Sequence, residues 1–347
     1  MGAILEKFSG KTGKRTVWLL SGLVLVNAAI WGVTFMIFRD NTTLMTTALL
    51  AYSFGLRHAV DADHIATIDN VTRKLMEQGK MPLTVGTFFS LGHSTIVVLA
   101  SMTIAATVAK FSNQMEWFQK NGNLIGTLTS SLFLLIVAFV NLIVLVSVRS
   151  TFRQIKAGKL PREQQLDKLI GNGGFLARFL RPLFNLANKR WHIYLLGFLF
   201  GLGFDTATEV GLLGISAASG LQEINLWYIM LFPALFSAGM VLVDTIDNLI
   251  MVGAYGWAFS RPIRKLYYNM VITALSVIIA LFIGGLEALG LIVNKLNLSG
   301  GMWDKINHLN EHFSEMGFWI IGIFIVFWVI SLMNYRLQKY DKLRIKI

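Results

Sequence analysis

Cysteine is absent from the 347 residues. That removes any disulfide framework and any thiolate ligand, so a bound cation must be held by imidazole, carboxylate, amide or thioether groups. Such donors suit borderline ions such as nickel, cobalt, zinc or manganese better than copper(I). Charge is also scarce, at 14% of residues against 54% hydrophobic. With several apolar runs long enough to cross a bilayer, a soluble globular protein is excluded, and residues 1–347 read as one membrane domain. A cleavable leader is not expected: Lys7, Lys11, Lys14 and Arg15 precede an apolar run too long for a signal-peptide core, and no cleavage site stands out.

Apolar windows predict an all-α membrane protein with eight transmembrane helices: Val17–Phe38, Leu44–Ile68, Leu83–Val108, Leu124–Val148, His192–Ala217, Leu226–Tyr255, Tyr268–Val293 and Gly317–Tyr335. Lysine and arginine test the count, because they collect on alternate, cytoplasmic loops. With both termini cytoplasmic, the outside segments carry only Arg39, Lys110, Lys120, Lys295 and Lys305. Apart from Arg57, inside the second span, all other basic residues fall on the inner segments, above all the basic loop of residues 148–191 that joins two halves. The net charge of +12 therefore reads as topology plus attraction to anionic lipid headgroups, not as nucleic-acid binding.

Ionisable residues at membrane depth are costly, and each is a functional-site hypothesis. The second span holds His58-Ala-Val-Asp-Ala-Asp-His64 behind Arg57. On a regular helix His58, Asp61 and His64 share about a third of the circumference while Asp63 points away from Asp61, so four ligands for one cation require a local break or π-type bulge. Further candidates are His93 in the third span, Asp205 and Glu209 in the fifth, and Asp244 and Asp247 in the sixth. The two carboxylate pairs, four and three residues apart, can each face one interior side. Interhelical hydrogen bonding is the competing reading for them, and Arg57 can neutralise an aspartate. Asn27 can supply an amide oxygen or bridge helices. Gly197 and Gly201 have the spacing of a helix contact, and Glu287 has no role visible from sequence.

The chain also matches itself. Phe54-Gly-Leu56 pairs with Phe200-Gly-Leu202, and Phe89-Ser-Leu-Gly92 with Phe236-Ser-Ala-Gly239, at nearly one offset. Helices two and three thus correspond to five and six, aligning Asp63 with Glu209 and His93 with Met240. Separated by three helices, the copies run oppositely through the membrane, an inverted repeat whose site is expected between them near mid-bilayer.

Four motifs in order, RHAVDADHI from Arg57, FFSLGHSTIVV from Phe88, LGFDTATE from Leu202 and GMVLVDTID from Gly239, resemble the nickel/cobalt transporter family, and with the topology they cover nearly the whole chain. The resemblance implies high-affinity, low-capacity uptake of nickel(II), and in some members cobalt(II), across a bacterial cytoplasmic membrane. It implies that His58, Asp61, Asp63 and His64 carry the function, with Asn27 and His93 in selectivity or the permeation path. The divalent cation is then substrate, not cofactor, the bilayer the other partner, and no obligate protein partner is expected. No G-x-x-x-x-G-K-[ST] segment is present. A divalent cation moving inward gains about 4.6 kcal/mol per 100 mV, so membrane potential or a proton gradient suffices as drive. The rival class is an intramembrane zinc peptidase, since His308-Leu-Asn-Glu311-His312 fits H-x-x-E-H.

Overall fold

A computed structural model describes residues 11–107, 112–156, 189–202, 212, 215, 224–258 and 262–338. Among these, every regular element is a helix: α1 (Lys11–Phe38), α2 (Thr42–His58), α3 (Ala62–Glu77), α4 (Val85–Thr107), α5 (Ser112–Lys156), α6 (Arg190–Phe200), α7 (Leu226–Ile229), α8 (Leu231–Ala258), α9 (Pro262–Leu296), α10 (Met302–Glu311) and α11 (Phe313–Leu337). Six stretches among the described residues are long and apolar enough to cross a membrane: Thr12–Phe38, Val85–Ala105, Gly126–Ser150, Leu226–Gly256, Leu266–Leu296 and Met316–Leu337. The two other expected spans differ for separate reasons. Leu44–Ile68 is divided into α2 and α3. His192–Ala217 starts in α6, and most of it beyond residue 202 lies outside the described residues. Most of the basic loop 148–191 lies outside them too, although α5 carries the helix on to Lys156.

The outer faces read as lipid-facing. Trp18, Met36, Trp319 and Ile325 are exposed, together with many other large apolar side chains of α1 and α11. In water such a surface would aggregate; in a bilayer it needs no covering. The chain is a multi-pass membrane protein.

Polar groups collect inside instead. The α2–α8 contact is so close that a Cβ on Gly55 would fall on the Phe236 carbonyl oxygen. Likewise a Cβ on Gly197 of α6 would meet the Phe89 carbonyl of α4. The helix spacing seen in sequence at Gly197 thus serves packing of α6 on α4. Phe38, Ala48, Phe232, Phe236 and Met240 form an apolar core of α1, α2 and α8, while Ile68, Leu75, Val85, Phe89 and Phe200 join α3, α4 and α6. The segment between α2 and α3 lies against the start of α11, where Gly317 leaves room for the Val60 carbonyl. No side chain would fit there.

Candidate metal centre

The centre begins at the break. Asn41 starts α2 by accepting the Leu44 N–H at 3.0 Å. That helix stops at His58, and Asp61 takes an extended conformation (φ −66°, ψ 148°) as the N-cap of α3. Aspartate is a favoured N-cap because its carboxylate can take an orphan N–H. Here it makes no such bond. Instead Asp61 Oδ2 lies 2.8 Å from His58 Nδ1. The break therefore lets Asp61 turn back to the histidine three residues before it. It also directs the C-terminal, negative end of α2 at the same place, a favourable field for a cation.

Three imidazoles meet there. His58, His64 and His93 each present a ring nitrogen within 4.8 Å of those of the other two, and their rings lie 4.7 to 4.9 Å apart. None is more than 2% exposed. His58 Nε2 and His93 Nε2 are 3.0 Å apart, a contact that exists only with a hydrogen on one of the two nitrogens. His64 donates its Nδ1–H to Asp244 Oδ2 at 3.0 Å, leaving its Nε2 buried without a hydrogen-bond partner. Phe89 packs edge-on to His64, and Phe236 lies against His58.

Carboxylates behind imidazoles fix the tautomer and ring orientation and raise the basicity of the opposite nitrogen. Asp61 stands in that relation to His58, and Asp244 to His64. Three nitrogens on one ion at about 2.1 Å would lie roughly 3 to 3.5 Å apart, so modest ring movement closes the cluster around a cation. The donor set is one that suits borderline divalent metals.

The remaining candidates separate clearly. Asp63 is half-buried and accepts the His64 N–H at 2.9 Å, outside the three-imidazole group. Asp247 is partly buried one turn beyond Asp244 on α8. Asn27 bridges helices, donating to Leu23 O at 2.9 Å and Ala238 O at 3.3 Å, while its Oδ1 is buried without a partner. Arg57 is exposed. Asp205 and Glu209 lie outside the described residues. Sequence reasoning gave no role to Ser90, whose hydroxyl donates to Asp244 Oδ2, or to the aromatic walls Phe89 and Phe236. A signal for Ser90 existed: it precedes His93 by three residues and so shares its face of α4.

The peptidase reading is not favoured. His308 and His312 stack at 4.4 Å on an exposed helix end, and His312 Nδ1 donates to the His308 carbonyl at 2.8 Å. Among the described residues, the three-ligand groups of metal-binding type reduce to His58, His64 and His93.

Residues 44–334 match the family model described as NicO, high-affinity nickel-transport protein. The chain belongs to the NicO family. That is a transporter family, not an enzyme family. Among relatives of this NicO chain, a "High-affinity nickel transport protein" of Cupriavidus necator is 51% identical, over 96% of this chain and 95% of its own length. A "Nickel transporter NixA" of Staphylococcus aureus is 40% identical over 94% of this chain and 97% of its own length. The "Cobalt transport protein NhlF" of Rhodococcus rhodochrous is 35% identical over 85% and 84% respectively. No solved structure matches this NicO chain.

Proposed function

We propose that this NicO protein takes up nickel(II), and cobalt(II) as a second substrate, across the bacterial cytoplasmic membrane as a secondary transporter or uniporter. The observation that carries this reading is the buried convergence of His58, His64 and His93, two of them backed by carboxylates. Relatives named for nickel and for cobalt supply the ion class. His58, His64 and His93 are the metal ligands, Asp61 and Asp244 orient them, and Asp63 offsets the positive end of α3. Asn27, Asp205, Glu209 and Asp247 belong to the path by which the ion enters and leaves. Buried negative charge offsets the cation's loss of hydration, which lipid alone would make prohibitive.

The whole chain is one domain with eight crossings and both termini cytoplasmic. Broken α2–α3 and the stretch beginning with α6 provide the second and fifth crossings, related as inverted repeats with α4 and α8. Matched packing supports the repeat: a Cβ on Gly92 would strike the Tyr194 carbonyl of α6, and one on Gly239 would press on the Tyr52 carbonyl of α2. Each repeat thus lends its second helix to the first helix of the other.

Uptake of radioactive nickel into expressing cells, with cobalt, zinc and manganese as competitors and His58→Ala as control, tests the function. Saturable uptake that cobalt competes with and His58→Ala abolishes is expected. Uptake equal to that of the His58→Ala protein would sink the transport reading.

A further inference from the structure

One oxygen atom joins α3, α4 and α8. Asp244 Oδ2 accepts two hydrogen bonds, one from His64 Nδ1 at 3.0 Å and one from the Ser90 hydroxyl. Ser90 and Asp244 are both fully buried. Two neighbouring features hold the helices at this distance. A Cβ on Gly86 would fall on the Asp244 carbonyl oxygen, and Thr87 and Thr245 share a hydrogen bond of 2.8 Å. Ser90 also lies three residues before His93, so α4 carries a ligand and, on the same face, the group that steadies another helix's ligand.

We propose that Ser90 is a positioning residue of the transport site. By holding the Asp244 carboxylate in one rotamer, it keeps the His64 proton on Nδ1 and aims Nε2 at the cation. Without the hydroxyl the carboxylate loses one of its two restraints, and the imidazole behind it can turn. Because Asp244 Oδ1 is buried with no partner of its own, nothing else on that carboxylate compensates. The inference rests on the transport reading above and adds a residue that does not itself touch the ion.

The test is nickel uptake and cobalt binding by full-length Ser90→Ala, Ser90→Thr and His64→Ala. For Ser90→Ala, KM for nickel is expected to rise about tenfold, the usual reach of such outer partners, with maximal rate per protein within about twofold of wild type. Purified in detergent and titrated with cobalt(II), Ser90→Ala should also show a displaced visible absorption band, while Ser90→Thr, which keeps the hydroxyl, shows the wild-type band. An unchanged KM and band in Ser90→Ala would overturn the assignment. So would a band displaced as far in Ser90→Thr as in Ser90→Ala. His64→Ala separates the two levels of the argument: if it transports nickel normally, the site itself is misassigned and this inference falls with it. Loss of uptake in His64→Ala beside normal Ser90→Ala would reject the role of Ser90 alone.

Discussion

Two buried polar clusters lie along α3, and they are finished to different degrees. At its start, the histidine centre leaves atoms open: His64 Nε2 and Asp244 Oδ1 are buried without hydrogen-bond partners. About 7.5 Å along the helix from His64, at its 1.5 Å rise per residue, Asp69 has both oxygens occupied, by Tyr255 and, at 3.0 Å, by Ser276. Its neighbour Arg73 donates to Glu77 at 2.8 Å, Thr273 at 3.0 Å and Asn70 at 3.3 Å. Asn141 donates in turn to Asn70 at 2.9 Å. An unsatisfied buried polar atom costs about 1–3 kcal/mol. The second cluster leaves the Arg73 Nε donor without a partner but fills both oxygens of its carboxylate, whereas the first leaves lone pairs open on an imidazole nitrogen and a carboxylate oxygen, the atoms a cation would need. Both are charged and both are buried. The first is the proposed binding site, and the second ties α3 to α5, α8 and α9.

Removing a ligand should break the contrast most visibly. His58→Ala and His64→Ala are expected to lower nickel uptake about a hundredfold or more, beyond the effect of losing an outer partner, with unchanged amounts of protein in the membrane; normal uptake would contradict the binding role of the open cluster. Arg73→Ala should act the opposite way. It removes the buried partner of Glu77 and three donated hydrogen bonds, a loss approaching that of a broken buried pair, about 3–5 kcal/mol, so thermal unfolding of purified protein should move sharply while KM of the surviving fraction stays near wild type. A KM shift with unaltered melting would mean that the second cluster also handles the ion. Arg73→Lys is expected to recover only part of the loss, because an ammonium cannot reproduce the forked donation.

Gly317→Ala is a smaller and sharper probe. Its methyl group would fall on the Val60 carbonyl oxygen, so the joint must shift, at a cost at or above the usual figure for overpacking, about 1–3 kcal/mol. Since the strain falls on the link between α2 and α3, uptake should fall more than stability; equal falls would make the break an ordinary packing joint. The smallest effect belongs to Asn41→Ala, which removes the α2 cap for about 1 kcal/mol and should lower the melting temperature by a few degrees without altering KM.

Much of the centre could be read in the chain itself. His58, Asp61, Asp63 and His64 cannot face one ion from a regular helix, and that geometric conflict called for the break found at residues 59–61. Periodicity places a residue on a face but says nothing of what stands opposite. The pattern groups Asp61 and Asp63 with the histidines and assigns Asp244 to the permeation path or to the groups behind the ligands; it does not show that Asp61 and Asp244 each stand against an imidazole, or that Asp63 accepts a backbone N–H. The role of Ser90 depends on a residue 154 positions away, a relation that no local pattern encodes. Asp69 has no role in the sequence reading, and Arg73 counts there as an inner-loop charge, because both lie past the expected end of the apolar window; α3 continues through them to Glu77 and buries Arg73.

Holding the carboxylates behind the imidazoles has a consequence for life in ordinary water. Magnesium and calcium, the divalent ions any cell meets in largest excess, bind through oxygen and gain little from nitrogen donors. A site that holds its ion, as proposed, by three ring nitrogens and offers few oxygens beside them is uninviting to them. With the proposed ligands the scarce ion wins its place by the chemistry of its partners, with no need for a pore that sieves by size.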